Sequence, residues 1–202
     1  MGPDPEQGRR LVARNRGGSL MLLPDITWPL DANVIRKHSV ANTFGMVRND
    51  GHRAHQGWDL LAYPGTRCYA VADGVVTTGF NGDYGRFISL EFEHRGNNLF
   101  AFYAHLNIVV VTDEQRVTAG EWIGLTGNTG NARTMKGDDQ HLHFEFRTES
   151  RPGHGLGGRI DPKTVYGFVP LRSPIYDTRP PEHMQTLGRS GTGLKVPGTN
   201  VL

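Results

Sequence analysis

The chain contains a single cysteine, Cys68, which rules out an intramolecular disulfide and any cysteine-built zinc module. A metal, if one is bound, would have to be held by histidine and carboxylate. Cys68 itself lies in a strand-like stretch and reads as a small buried hydrophobe. Long apolar runs are also missing. The longest near the start, Leu20 to Leu23, is followed by Pro24 and falls far short of the ~18 residues that cross a bilayer, so no membrane span is expected. A secretory leader needs a basic start and then about 7–15 apolar residues, whereas here Asp4 and Glu6 precede Arg9, Arg10, Arg14 and Arg16, so no signal peptide is expected. Charge of one sign is scarce: the formal net charge is +2. Residues 147–202 carry eight Arg/Lys against four Asp/Glu, and residues 1–146 carry fourteen against sixteen. That mild basic bias at one end does not call for nucleic acid as a partner. Neither a sustained 3.6-residue apolar period nor an internal repeat is visible, which leaves helices few and short and excludes solenoids and propellers. One short helix is expected near Asp31, where an N-cap type residue precedes apolar positions.

Glycine, by contrast, is abundant: 27 of 202 residues, near twice the ordinary share of about 7%. It punctuates short runs rich in Val, Ile, Phe and Tyr, namely Trp58 to Tyr63, Cys68 to Ala72, Gly74 to Phe80, Phe87 to His94, Leu99 to Leu106, Trp122 to Leu125 and His141 to Arg147. Turn dipeptides such as Pro64-Gly65, Asp73-Gly74, Asn81-Gly82 and Gly127-Asn128 separate them. The pattern predicts a mainly β, antiparallel protein. Length favours one domain with extensions: an N-terminal arm or linker over 1–26 with no assigned fold, a folded unit over 27–168, and a Pro-rich C-terminal tail over 169–202. A monomer is expected.

The most informative hexapeptide is His141-Leu142-His143-Phe144-Glu145-Phe146. On a strand, alternation sends Leu142, Phe144 and Phe146 to the core and His141, His143 and Glu145 to the other face, with the two imidazoles about 7 Å apart. Taken alone, a His-x-His is more often an exposed polar strand face. Other segments change that balance. His55 and Asp59, at i and i+4, can converge, and a neutral histidine with an ionised carboxylate suits Zn²⁺. One imidazole from the His141/His143 pair would complete three protein ligands and leave a fourth position for water, the mark of a catalytic rather than a structural site. In Phe102-Tyr103-Ala104-His105-Leu106, alternation puts Phe102, Ala104 and Leu106 on one face and Tyr103 with His105 on the other, so His105 is a further polar group for the same face. His52 is a competitor for a ligand or substrate contact; His38, His94, His154 and His183 read as surface or loop residues.

These segments, His55 to Asp59, Tyr103 to Leu106 and His141 to Glu145, resemble in order and separation the lysostaphin/LytM-type (M23 family) zinc metallopeptidases that cut peptidoglycan. Phe44-Gly45-Met46, Gly65-Thr66, Ala70 to Gly74 and Gly120 to Gly130 are similar to that family as well, so that the likeness covers roughly residues 42 to 165. It implies a twisted antiparallel β-sheet domain with a groove, of the duplicated-hybrid-motif type, spanning 27–168. It implies Zn²⁺ as cofactor, held by His55, Asp59 and His143, with His105 and His141 as the catalytic pair that handles protons; which of the two is the base stays open. The chain departs from the family between Gly130 and His141, where the segment is longer than usual and Gln140 stands in place of proline.

The function implied is that of a zinc-dependent endopeptidase cleaving stem-peptide cross-links, with peptidoglycan as partner. Two alternatives are an N-acetylmuramoyl-L-alanine amidase using the same site, and a non-catalytic relative that binds wall or a partner protein. Without a signal peptide, action in the periplasm or cell wall implies delivery by a secretion system as an antibacterial effector or toxin, release by lysis as a lysin, or processing from a larger exported protein, with the injected effector fitting best. An effector of that kind implies an immunity protein that plugs the groove.

Overall fold

The computed structural model of the protein describes residues 26–177 together with the backbone of 12–14 and 20–22. Val12–Arg14 (β1) pairs antiparallel with Leu20–Leu22 (β2), a short hairpin inside the segment read from sequence as an arm. The helix expected near Asp31 is absent. Ala32–Asn33 (β3) is instead extended, and the Asn33 side chain takes the Leu30 N–H at 3.2 Å and donates to the Leu30 carbonyl at 2.7 Å. A side chain that satisfies neighbouring backbone groups in this way competes directly with a first helical turn.

Two single 3-10 turns, Arg36–His38 and Val40–Asn42, lead to a hairpin of Gly45–Arg48 (β4) with Arg53–His55 (β5). Then follow Trp58–Leu61 (β6), Arg67–Tyr69 (β7), Gly74–Asn81 (β8), Gly85–His94 (β9), Asn97–Val109 (β10), Arg116–Val117 (β11) and Trp122–Thr126 (β12). After 3-10 turns at Gly130–Ala132 and Gly137–Asp139 come His141–Arg147 (β13), Arg159–Ile160 (β14), the helix Pro162–Tyr166 (α1) and Ile175–Tyr176 (β15). The seven runs named from sequence all became strands, with ends displaced by a few residues.

Nine of these strands form one antiparallel sheet with the path β11-β8-β9-β10-β12-β7, while β13 pairs with β10, β6 and β14. The core lies on one face, where Trp58, Leu60, Ala101, Tyr103, Leu142, Phe144 and Phe146 pack together. Cys68 is buried there and burial pushes its thiol up. Residues 169–177, assigned from sequence to the tail, continue this packing: Val169 and Leu171 lie against the core, the Ile35 N–H donates to the Pro170 carbonyl, and β15 pairs with β3. The remainder of the tail, 178–202, lies outside the described residues.

The long strand β10 decides where the site forms. Before residue 105 it pairs with β13 along one edge, and from Leu106 onward it pairs with β12. At the change the register with β9 slips, Tyr103 facing Ile88 and Leu106 facing Arg86, so two residues oppose one. His105 occupies this β-bulge in the left-handed region, at φ 62°. The faces expected from simple alternation are therefore corrected. Opposition across β13 places Phe102 with Glu145 and Ala104 with His143 on the open face, and Tyr103 with Phe144 in the core. Without the bulge His105 would follow Tyr103 inward; the bulge rephases the strand and returns it to the open face.

Candidate metal centre

Strands β6 and β13 are in register so that Asp59 faces His143, and alternation points both side chains to the open face. The β4–β5 hairpin delivers His55 above them. His55 Nε2 lies 3.0 Å from Asp59 Oδ1 and 3.3 Å from His143 Nδ1, and His143 Nδ1 lies 2.9 Å from Asp59 Oδ1. Ligands about 2.0–2.1 Å from a tetrahedral ion are separated from one another by about 3.3 Å. The three donor atoms thus already stand at the spacing of one face of such a tetrahedron, and His55, Asp59 and His143 are the group that could hold a metal among the described residues. Two imidazoles and one carboxylate are a donor set suited to Zn²⁺.

Each donor is fixed from behind. His55 Nδ1 donates to the Thr43 carbonyl at 2.8 Å, which leaves Nε2 as the free lone pair. His143 Nε2 contacts Glu145 Oε1 at 2.9 Å, which turns Nδ1 toward the cluster. Glu145 Oε2 in turn accepts from Arg147 Nε and Arg159 Nε at 2.7 and 2.8 Å. The second oxygen of Asp59 accepts from Arg36 Nε and Nη2 at 3.3 and 3.2 Å and from Arg48 Nη2 at 2.5 Å. Burial works to raise Asp59, yet His141 and His55 hold it well below the ordinary carboxylate range. Burial lowers His55, leaving it neutral and available as a ligand. His143 behaves differently: burial opposes its protonation, but hydrogen bonds to Asp59 and Glu145 push it up to about 9. A proton on Nδ1 and a cation at the same lone pair exclude each other, so metal binding there releases a proton.

His141 and His105 complete the cluster, with ring centroids 5.2 Å apart and His105 6.0 Å from His143. His141 Nε2 is 3.5 Å from Asp59 Oδ1. Both rings donate Nδ1–H to a backbone carbonyl: His141 to Asp139 at 2.8 Å, and His105 to Thr129 at 2.9 Å. Burial lowers His141 and pushes His105 down to about 3, so both are neutral with Nε2 unprotonated.

All five residues singled out from sequence are therefore brought together. His52 is exposed and takes no part; His38 and His154 are exposed, His94 is half-buried in β9, and His183 lies outside the described residues. Arg36, Arg48, Arg147 and Arg159 were not anticipated. For Arg147 a signal existed, because the alternation of His141, His143 and Glu145 continues one step to Arg147 on the same face. The segment 131–140 borders the cluster: Asp139 binds Arg36 and Lys37 through its carboxylate while its carbonyl holds His141.

Comparison with known proteins places this arrangement. The chain is 34% identical over 107 residues to the peptidoglycan DD-endopeptidase ShyA of Vibrio cholerae, a stretch that is 52% of this chain and 23% of that protein. It is 32% identical over 126 residues to the murein hydrolase activator NlpD of Escherichia coli, 61% of this chain and 28% of that protein. The chain thus spans about a quarter of the length of these curated relatives. Among solved structures it is similar to the catalytic domain of the antimicrobial peptidase lysostaphin from Staphylococcus simulans, with a TM-score of 0.51 and 26% identity over 62% of this chain and 90% of that domain. Residues 53–154, half of the chain, match peptidase family M23. With that match around a buried His-Asp-His cluster, the chain belongs to peptidase family M23.

Proposed function

We propose that the chain is a zinc-dependent endopeptidase that hydrolyses stem-peptide cross-links of peptidoglycan in the periplasm or cell wall. The observation that carries this reading is the conjunction of two sets in one buried cluster. His55, Asp59 and His143 form a metal-binding triad, and His105 and His141 are two further imidazoles with fixed tautomers. A protein that only bound wall, or only activated another hydrolase as NlpD is named to do, would have no use for the second pair. The likeness to a named DD-endopeptidase supports the substrate class.

A zinc ion held by His55, Asp59 and His143 would polarise the scissile carbonyl and acidify a neighbouring water. The chain's own residues do the rest. With Nδ1–H committed to a carbonyl, His105 and His141 each offer an unprotonated Nε2; one takes the proton of the attacking water, and the resulting imidazolium donates a hydrogen bond to the developing oxyanion. The same proton is then returned to the departing amine. Arg36 and Arg48 keep Asp59 ionised and oriented, and Glu145 does the same for the tautomer of His143.

Mass spectrometry of fragments released from purified sacculi in the presence of zinc tests the proposal. Opened cross-links between stem peptides are expected. Release of whole stem peptides from the glycan would instead identify an amidase with the same centre, and no fragments at all would favour the binding role. An antibacterial role, with an immunity protein as partner, is a separate proposal. It predicts lysis when the protein is directed to the periplasm of a test bacterium and none when it is kept in the cytoplasm.

A further inference from the structure

Beside the metal centre, the open face of the sheet carries a groove of about 640 Å³. Tyr84 forms its wall toward the cluster, with its ring 5.7 Å from that of His143. Three arginines line it, Arg147, Arg151 and Arg159, of which Arg147 and Arg159 share Glu145; the one carboxylate of the lining, Glu91, accepts from Asn98 at 2.8 Å. Arg147 is 4% exposed. Its Nε is bound to Glu145, its guanidinium carbon lies 3.4 Å over the Phe102 ring, and its Nη2 has no partner among the described residues. The Ser89 hydroxyl, on the same groove, is likewise buried without a partner. Buried donors are rarely left without acceptors, and where they line an open groove a ligand is the natural completion.

We propose that this groove is an anionic-residue subsite: it receives a carboxylate of the peptide substrate, with Arg147 and Arg151 as the specificity-determining residues and Ser89 as a further donor. The proposal rests on the peptidoglycan endopeptidase reading and adds what that reading lacks, namely which substrates are preferred. Guanidinium is the side chain that matches a planar carboxylate with paired N–H donors. Phe102 blocks one face of Arg147 and Glu145 occupies its Nε, so the Nη nitrogens carry the recognition. Distance also fits, because an extended peptide advances about 3.3–3.6 Å per residue. A chain whose reacting bond sits at His143 would bring a residue only a few positions away past Tyr84 and into the groove.

The test uses two synthetic cross-linked peptides that differ only in one group near the reacting bond, a free carboxylate in one and a carboxamide in the other. The intact protein loaded with zinc should cleave the carboxylate peptide with a kcat/KM about tenfold or more above the carboxamide, the range that a charge-assisted hydrogen bond supplies. The difference should lie mainly in KM and shrink as salt is raised. Arg151→Gln, at an exposed position, should lower the ratio several-fold, and Arg147→Lys should lower it as well. Should Arg147→Lys fail to fold, Arg151→Gln decides. A ratio near one in the unmodified protein, or a ratio that neither substitution changes, overturns the subsite while leaving the endopeptidase reading intact. If neither peptide is cut, that reading fails instead. Equilibrium binding of the two peptides to His105→Ala then decides the subsite, with tighter binding of the carboxylate peptide sustaining it and equal binding refuting it.

Discussion

Within the cluster, Asp59 and His143 are held by different chemistry from His105 and His141. Asp59 and His143 are backed by ions: two arginines on Asp59 Oδ2, and on His143 a glutamate that itself binds two arginines. His105 and His141 are backed by neutral backbone carbonyls, those of Thr129 and Asp139, and His55 shares that arrangement through the carbonyl of Thr43. The contrast follows the tasks proposed for Asp59 and His143 as ligands and for His105 and His141 as proton carriers. A ligand must keep one protonation state and one orientation; a charged partner enforces both at Asp59 and His143, while at His55 burial keeps the ring neutral and the Thr43 carbonyl orients it. A group that takes up and gives back a proton is poorly served by a carboxylate behind it, which would hold the proton; a carbonyl fixes the tautomer while favouring the charged form far less. The outcome is visible in the opposite displacements of His143, pushed up to about 9, and His105, pushed down to about 3, although both are buried in one cluster.

The largest effects should come from removing members of either half. His105→Ala or His141→Ala should lower kcat by about 10²–10⁴ on a cross-linked peptide, with KM little changed. A loss confined to KM would place these residues in substrate binding instead. Next is Glu145→Gln. Glu145 is fully buried, and neutralising it strands Arg147 and Arg159, at a cost of about 3–5 kcal/mol measured by denaturant unfolding. Zinc affinity should fall by roughly 10–100-fold. Full stability and unchanged zinc affinity would show that ions do not support the ligand half.

Gly85→Ala probes the other half. Gly85 has φ 63°, and an added Cβ would lie 2.2 Å from Thr129 Oγ1, so the residue whose carbonyl holds His105 must shift. Activity should drop about tenfold through misplacement of His105, with zinc content unchanged; lost zinc would mean that the halves are not separable. The smallest effect is expected for Asp139→Asn. Its carboxylate binds Arg36 and Lys37 at the surface, but its backbone carbonyl holds His141, so both zinc affinity and kcat should stay close to those of the unmodified protein. A large loss would show that charge matters behind His141 too.

What the sequence made legible was whatever period and proximity encode. In β13 strict alternation assigned His141, His143 and Glu145 to one face and Leu142, Phe144 and Phe146 to the core, and the structure agrees. His55 and Asp59 were recognisable as a pair by their spacing. The faces of β10 were assigned wrongly because a bulge interrupts the period at His105, and no local composition marks it: it arises where β10 exchanges β13 for β12 as a neighbour. Arg36 and Arg48 were illegible for another reason. They reach Asp59 across 23 and 11 residues of chain, and an arginine far from a carboxylate in sequence carries no sign of which anion it will meet. The helix expected at Asp31 was lost to the Asn33 side chain, a competitor that the N-cap pattern overlooked.

The division of labour within the cluster is tested most directly by zinc content per chain in purified Asp59→Ala and His105→Ala proteins, each confirmed to be folded. Asp59→Ala should come back without metal, and His105→Ala with close to one zinc per chain and no hydrolysis. Equal metal loss in both, or full metal in both, would contradict the assignment of His55, Asp59 and His143 as the ligands and His105 as a proton-handling residue.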